Sequence, residues 1–402
     1  MTPNSGIFEY LMAAAMEKVH SQTLGWIFSL RSHSTTPFQE SIGTYLLKKI
    51  VGLESEIISI EIVTVEYNHF DLLIEWKKNG IDCTLIIENK IKSSEHNNQL
   101  ARYVEDMKSL IEKDSSFQHY YPYQQERHHY ILLQLINEET LPAPWQQLTY
   151  FGLSKILRST LQEDNLLIDA GEKIMLEQYL DCISRLSETV NQFLLNPAQF
   201  SFVFSEGKTR KRIGSKFLNL RQTFSVTEYI KANQLETILQ KAFYFRLMQE
   251  AVLRDKEFHI GESHGTAILD LILPGTIQVL INSTTVSLRK ICQFQGKQVK
   301  FALAPLPPNL SSENEKQLIL QQYDRKAVEF IRTFLPEAYK DKKVTYPRGK
   351  GFSSVIISNQ WWQINSSKKC FAVAAGFVVE SYLQAQTFFN EFPQEPSLLS
   401  PN

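Results

Sequence analysis

Three ionisable residues stand at the ends of two neighbouring apolar runs of the sequence. Asp71 opens the first run, and Glu88 and Lys90 close the second. Asn79-Gly80 lies between the runs and is typical of the two-residue turn of a β-hairpin. Counting outward from this turn places Asp71 opposite Glu88, with Cβ atoms about 5 Å apart. Side chains alternate along a strand, so Lys90 is predicted to project from the same face as Glu88. The same register pairs Lys78 with Ile81, Trp76 with Cys83 and Ile74 with Leu85.

Two carboxylates that face each other repel unless a positive charge lies between them. A divalent cation would provide that charge, and Mg²⁺ commonly binds one or two carboxylates together with a substrate phosphate. With Lys90 as a second positive group, these residues have the parts needed to hydrolyse a phosphodiester. The backbone carbonyl of Asn89 is a further candidate ligand, although its side chain points to the other face. The alternative interpretation is a structural ion pair between the acids and Lys90.

A helix predicted over residues 94–113 follows the second strand after a short loop. Gln99 and Tyr103 are four residues apart, which places the amide and the phenol on one edge of the apolar stripe of this helix. From this position Tyr103 could belong to the core or to the site.

A helix predicted over residues 6–30 gathers Glu17, His20 and Ser21 on one side. Two interpretations are open for these residues. They form an exposed polar edge, or Glu17 reaches toward the predicted carboxylate pair as a further acid.

The spacing of Asp71 and Glu88-Asn89-Lys90 resembles that of the PD-(D/E)XK nuclease superfamily, whose members carry an acid on one strand and an acid-x-lysine on the next. Gln99-Leu-Ala-Arg-Tyr103 is similar to the glutamine–tyrosine helix motif of its RecB-like branch. Met16-Glu-Lys-Val-His-Ser21, with Trp26, is similar to an N-terminal signature of bacterial members. The resemblance covers about residues 7–190. His69-Phe70 stand where a proline often precedes the aspartate, and that proline is frequently absent.

The resemblance implies a mixed β-sheet flanked by helices, the restriction-endonuclease-like core, and a nuclease that uses Mg²⁺ or Mn²⁺. It implies catalytic roles for Asp71, Glu88, Lys90, Gln99, Tyr103 and Glu17, and metal ligation by Asp71, Glu88 and Asn89. DNA is a more expected substrate than RNA, and the resemblance suggests a role in bacterial defence. The alternative is a catalytically inactive nucleic-acid-binding or assembly protein of the same fold.

Hydrophobic periodicity and turn residues predict an α+β chain with two or three domains. Helices are predicted over residues 6–30, 38–51, 94–113, 148–161, 170–195, 226–254, 313–334 and 379–389. Strands are predicted over residues 57–67, 70–76, 81–91, 130–135, 267–273, 277–281, 286–291, 299–303, 355–358 and 361–364. We expect a nuclease-like domain at residues 1–200, a basic and helical connector at 201–255, and a C-terminal α+β domain for substrate binding or dimerisation at 256–402.

Residues 206–222 are strongly basic, with Glu206 as the one acid. A solvated linker is one interpretation. Contact with a phosphate backbone is the other, because clustered cations bind nucleic acid by counterion release. The residues predicted to make that contact are Lys208, Arg210, Lys211 and Arg212.

The composition is ordinary for a globular protein, with 43 % apolar and 21 % charged residues and a net charge of −1. The four cysteines are widely spaced and match no metal motif, so we expect reduced and mostly buried thiols. No leader opens the sequence, and no apolar run approaches the roughly 18 residues of a membrane span. The sequence therefore predicts a cytoplasmic protein with no membrane partner. The resemblance implies that its partner is nucleic acid, with DNA the more expected, and a homodimer is a further expectation.

Overall fold

The structure of the protein is a computed structural model. It describes residues 7–10, 14–30, 41–53, 55–91, 99–136, 141–163, 168–205, 225–263, 265–281, 284–308, 312–345, 352–358, 370–392 and 397–398. The chain forms two compact units, the first of Met1–Gln192 with Lys211–Ile238 and the second of Phe193–Arg210 with Leu239–Asn402. The three predicted domains, with limits at residues 200 and 255, stay a prediction.

The first unit contains a five-stranded sheet in the order β1-β2-β3-β4-β5. Its strands are β1 (Ile58–Tyr67), β2 (Phe70–Lys78), β3 (Ile81–Lys90), β4 (His128–Gln134) and β5 (Gln146–Thr149). Strands β1, β2 and β3 are antiparallel neighbours, whereas β4 runs parallel to β3 and β5 parallel to β4. Apart from Ile81 at the start of β3, the apolar side chains of β2, β3 and β4 are buried on both faces, as expected for strands covered by helices. This confirms the predicted central strand near residues 130–135.

The β2–β3 hairpin has the predicted register. Asn79 and Gly80 have φ angles of 50° and 82°, and a type I′ turn requires a positive φ at both positions. The paired residues run from Lys78 opposite Ile81 to Leu72 opposite Ile87. One residue further outward, Asp71 lies beside Glu88 on the same face of the sheet. The local sequence of the turn thus determines that Asp71 and Glu88, each well outside the turn, lie next to each other.

The helices include α1 (Ile7–Tyr10), α2 (Glu17–Ser29), α3 (Ile42–Val51), α4 (Gln99–Lys113), α5 (Tyr150–Thr160), α6 (Ala170–Leu195), α7 (Phe202–Ser205), α8 (Val226–Ala232), α9 (Glu236–Met248), α10 (Glu313–Thr333) and α11 (Cys370–Asn390). In the first unit, α4 packs its apolar stripe on the sheet face that carries Leu73, Ile86 and Leu132. On the other face, α2 approaches Val65 and Leu72 so closely that Gly25 leaves no room for a side chain. Helices therefore lie on both faces of the sheet.

The prediction of a single helix over residues 6–30 is wrong, because α1 and α2 are separate helices. Met16 is the N-cap of α2 and has an extended backbone. The carbonyl of Ala14 is 2.9 Å from Nε2 of the buried His20, so a side chain binds an acceptor that a continuous helix would use within its own backbone. The predicted starts of the helices at residues 38 and 94 lie outside the described residues.

The second unit contains a sheet in the order β10-β11-β9-β8-β7-β12, with β6 also paired to β7. Its strands are β6 (Phe258–Ser263), β7 (Thr266–Ile281), β8 (Thr284–Gln295), β9 (Gln298–Pro305), β10 (Val344–Thr345), β11 (Ser353–Ser358) and β12 (Ser397–Leu398). Helix α11 packs on this sheet through aromatic contacts, with the rings of Phe301 and Phe388 5.2 Å apart. The unit is the predicted C-terminal α+β part of the chain.

Three boundaries in the C-terminal half differ from the prediction. The two strands predicted at residues 267–273 and 277–281 form the single strand β7, which has a bulge between Ile272 and Thr276. The helix predicted over residues 226–254 is divided into α8 and α9, because Gln234 adopts a left-handed φ of 54°. Helix α11 begins nine residues before the predicted start, at Cys370. The strand predicted at residues 361–364 lies outside the described residues.

The predicted fold class, a mixed sheet flanked by helices with a further C-terminal part, is confirmed. The four cysteines are free and buried, as predicted. Among the helices that the structure describes, none combines the length and the apolar character needed to cross a membrane.

Candidate active site

The predicted acids and lysine meet at the end of β3 on the face that α4 covers. Lys90 Nζ lies 2.6 Å from Glu88 Oε1, and the two side chains are 13 % and 2 % exposed. The backbone N–H of Asn89 donates to Asp71 Oδ2 over 2.8 Å, which links the start of β2 to the end of β3. The structure therefore brings Asp71, Glu88 and Lys90 together, as the hairpin register predicts.

Burial and mutual repulsion perturb both carboxyls. The pKa of Glu88 is raised to about 7 by all of its neighbours together. Burial is the largest cause, the charge of Asp71 acts in the same direction, and Lys90 opposes both. Burial also raises the pKa of Asp71, partly offset by the hydrogen bond from Asn89. Burial alone would lower the pKa of Lys90, but the neighbouring acids, Glu88 first, hold it above its usual value. The site thus keeps a charged lysine and disfavours two ionised acids.

Among the residues that the structure describes, none forms a hydrogen bond with one of the two oxygens of Glu88. Lys90 Nζ and Gln99 Nε2 both approach Oε1, at 2.6 and 2.9 Å, whereas the buried Oε2 accepts no hydrogen bond from the described part of the chain. A proton on one carboxyl would let Glu88 and Asp71 share a hydrogen bond, but with both ionised neither can donate. A buried, unpaired carboxylate oxygen is costly unless a cation or proton binds it.

Gln99 and Tyr103 on α4 reach the same point from the other side of the site. Gln99 Nε2 contacts the Tyr103 hydroxyl at 2.5 Å as well as Glu88 Oε1. The Tyr103 ring is 3 % exposed and lies edge-on to Phe70, with centroids 5.4 Å apart. The ring of Tyr103 therefore belongs to the core, while its hydroxyl touches the amide that binds Glu88, and its catalytic role stays a prediction.

Glu17 lies at the first turn of α2, close to the end of β3. Its Oε1 accepts the backbone N–H of Ile91 over 2.7 Å, and its charge raises the pKa of both Asp71 and Glu88. Within the described ranges, no three Asp, Glu, His or Cys side chains are grouped to hold a metal ion. Glu17 therefore approaches the predicted pair without completing a cluster of three side-chain ligands.

The residues present fit a magnesium-type ion. Such an ion keeps several waters and needs one or two protein carboxylates, and the free Oε2 of Glu88 next to Asp71 offers them. In an extended strand, the N–H and C=O of one residue point to the same side. Because the N–H of Asn89 points toward Asp71, its carbonyl also faces that side and could serve as a third oxygen ligand.

The side chain of Asn89 points to the opposite face, where it binds a residue that the sequence did not indicate. The hydroxyl of Tyr150, the first residue of α5, donates to Asn89 Oδ1 over 2.6 Å. The two residues are 61 positions apart, and no motif marks Tyr150. Its Thr149 N-cap fixes the start of α5 but carries no information about Asn89.

The predicted nucleic-acid-binding residues Lys208, Arg210, Lys211 and Arg212 lie outside the described residues. Their role stays a prediction from the sequence.

Residues 5–192 match the family model of the PD-(D/E)XK nuclease superfamily. The match covers the five-stranded sheet, α4 and the cluster at the end of β3. The match suggests a nuclease, and nucleases of this superfamily usually use divalent metal ions. No curated protein and no solved structure matches the chain. The RecB-like branch stays a prediction from the Gln99 and Tyr103 motif.

Proposed function

We propose that the protein is a metal-dependent nuclease that hydrolyses phosphodiester bonds of nucleic acid, DNA rather than RNA, with Mg²⁺ or Mn²⁺. The observation that carries the proposal is that Glu88 Oε2, beside Asp71, accepts no hydrogen bond from any described residue, in a site where burial raises the pKa of both carboxyls. The preference for DNA follows from the resemblance to the superfamily alone.

Asp71, Glu88 and the carbonyl of Asn89 are the proposed ligands. When bound, the ion would neutralise the two carboxylates, polarise a phosphoryl oxygen and lower the pKa of a water molecule. Glu88 Oε1 is occupied by Lys90 and Gln99, which leaves Oε2 as the oxygen available to the ion. Gln99 therefore selects which oxygen of Glu88 faces the reaction.

Lys90 is the residue proposed to act on the reacting phosphate. The acids around it raise its pKa, so its ammonium stays charged over the whole neutral range. Its ion pair with Glu88 fixes Nζ on the face where substrate would bind. A fixed cation next to the phosphate stabilises negative charge that develops during hydrolysis and can orient the attacking water.

Cleavage assays with the purified protein test the proposal. Single- and double-stranded DNA and RNA are incubated with Mg²⁺, and then with excess EDTA. We expect metal-dependent cleavage of DNA, and a loss of at least about 100-fold in Glu88→Gln, since a missing charge on a metal ligand is worth several kcal/mol. The control is Glu61→Gln, which changes an exposed carboxylate on β1 and keeps full activity.

If none of the four substrates is cleaved in a metal-dependent way, the nuclease proposal is contradicted. Binding without cleavage would instead favour a catalytically inactive nucleic-acid-binding protein of the same fold.

The basic segment is proposed to contact the nucleic-acid backbone, and its test is separate from catalysis. Replacing the four cations together by Gln should weaken binding and flatten the dependence of affinity on salt, by about 0.9 in log–log slope for each lost phosphate contact with duplex DNA. An unchanged slope would support the linker interpretation. The variant replaces Lys208, Arg210, Lys211 and Arg212.

A further inference from the structure

We propose that Tyr150 is a positioning residue for the candidate metal site, and that it acts through the side chain of Asn89. The inference rests on the proposed function, because it concerns the same site. Asn89 stands between Glu88 and Lys90 in the sequence. Whatever fixes its backbone therefore also fixes the two functional side chains beside it.

The side chain of Asn89 is bonded on every side in the layer behind the sheet. Tyr150 donates to Oδ1 over 2.6 Å, while Nδ2 donates to the backbone carbonyl of Glu17 over 2.8 Å and to Ser21 Oγ over 3.2 Å. Asn89 is 1 % exposed, and Tyr150 is fully buried. An asparagine amide has one carbonyl and two N–H groups, so each is used. These bonds tie the end of β3 to both α2 and α5.

The backbone of the same residue faces the site. The N–H of Asn89 binds Asp71 Oδ2, and its carbonyl is the proposed third ligand. A displacement of Asn89 would therefore move an Asp71 contact and a candidate ligand together. Bonds that orient metal ligands from behind commonly change metal affinity or activity by about 10–100-fold when they are removed.

Tyr150 makes the shortest of the three hydrogen bonds of the Asn89 side chain given above, and neighbouring side chains hold the Tyr150 ring in place. The imidazole of His20 lies edge-on to it, with ring centroids 5.0 Å apart. Tyr150 also supplies the sole donor to Asn89 Oδ1 among the hydrogen bonds of the described residues. Loss of its hydroxyl leaves that oxygen buried without a donor, which favours a reorientation of the amide.

The test compares two variants that each remove one buried hydroxyl. Tyr150→Phe deletes the bond to Asn89. Tyr179→Phe is the matched control, since Tyr179 is also fully buried and its hydroxyl pairs with His20 Nδ1 at 3.2 Å. Two quantities are measured: the Mn²⁺ concentration that gives half of the metal-induced rise in Tm, and hydrogen exchange of a peptide covering residues 88–91 in metal-free protein.

We expect Tyr150→Phe to raise the half-saturating Mn²⁺ concentration about tenfold and to speed exchange of the 88–91 peptide. Tyr179→Phe should change the half-saturating Mn²⁺ concentration by less than about twofold. Equal effects of the two variants, or wild-type Mn²⁺ binding by Tyr150→Phe, would overturn the proposal. Ser21→Ala, which removes the longer bond to Asn89, should act in the same direction with a smaller effect and serves if Tyr150→Phe does not fold.

The two proposals fail in different ways. A wild-type protein that neither responds to Mn²⁺ nor cleaves nucleic acid contradicts the nuclease proposal. In that case the exchange comparison in metal-free protein still decides whether Tyr150 fixes residues 88–91. A wild-type protein that responds to Mn²⁺, with a Tyr150→Phe variant that responds identically, contradicts the positioning role alone.

Discussion

Metal binding by the candidate site should release a proton from Glu88. Burial and the charge of Asp71 raise the pKa of Glu88 to about 7 in the metal-free protein, so about half of the molecules hold this proton at pH 7. A metal ligand must be deprotonated. Proton release per bound ion should therefore be about 0.9 at pH 6, about 0.5 at pH 7 and about 0.1 at pH 8. The corresponding metal affinity rises about tenfold, or about 1.4 kcal/mol, from pH 6 to pH 8.

Isothermal titration calorimetry with Mn²⁺ measures this release directly. Titrations at each pH are repeated in buffers with different ionisation enthalpies, and the slope of the observed heat against buffer enthalpy gives the number of protons. A slope near zero at pH 6, with equal affinity at pH 6 and pH 8, would refute the assignment of Glu88 as a perturbed ligand.

The same proton affects the stability of the metal-free protein. The pKa of Glu88 rises from 4.5 to about 7 on folding, so the folded state binds the proton more tightly than the unfolded state. The contribution of this group to the free energy of unfolding is therefore largest at low pH and falls as the pH rises from about 4.5 to 7. The full change is about 3 kcal/mol. Urea denaturation in EDTA should show this component in the wild type and not in Glu88→Gln.

Three further predictions, two of them with a comparison variant, concern the lysine and two backbone positions. Lys90→Ala should lower single-turnover cleavage by at least about 100-fold while circular dichroism stays native, because the lysine is proposed to act on the phosphate. Wild-type turnover would refute that role. Gly43→Ala should lower the free energy of unfolding, measured by urea denaturation, by about 1–3 kcal/mol, since the added Cβ would lie 2.7 Å from a backbone oxygen of α2. Gly376→Ala, whose Cβ would lie in open space on α11, should not lower it. His69→Gly should stabilise the protein by about 1 kcal/mol, because His69 has a strained φ of 75°. The reverse change Gly80→His, at a φ of 82°, should destabilise the protein. If both substitutions change the free energy of unfolding in the same direction, the strain argument is contradicted.

The arrangement of Asp71, Glu88 and Lys90 could be predicted because every step toward it is local. The turn type at Asn79-Gly80 sets the register, and the alternation of side chains sets the face. The helix that carries the glutamine and tyrosine follows the same logic, since positions four residues apart share one edge of a helix.

The remaining parts depend on packing between distant segments. The bond between Tyr150 and Asn89 joins residues 61 positions apart, and neither belongs to a periodic pattern that points to the other. The break between α1 and α2 likewise depends on a buried His20 that binds the Ala14 carbonyl, a contact that helix periodicity cannot indicate. Glu17 combines a local and a long-range feature. Helix periodicity predicts the side of the helix on which Glu17 lies, but it does not predict that Glu17 accepts the backbone N–H of Ile91.

The central claim is that Asp71 and Glu88 bind one catalytic cation. Anomalous diffraction from a crystal grown with Mn²⁺ tests it most directly, because the anomalous signal locates the ion independently of the protein atoms. We expect a peak bonded to Glu88 Oε2 and to the Asp71 carboxylate, with the carbonyl of Asn89 as a further ligand. A crystal saturated with Mn²⁺ that has no peak at these two carboxylates would contradict it.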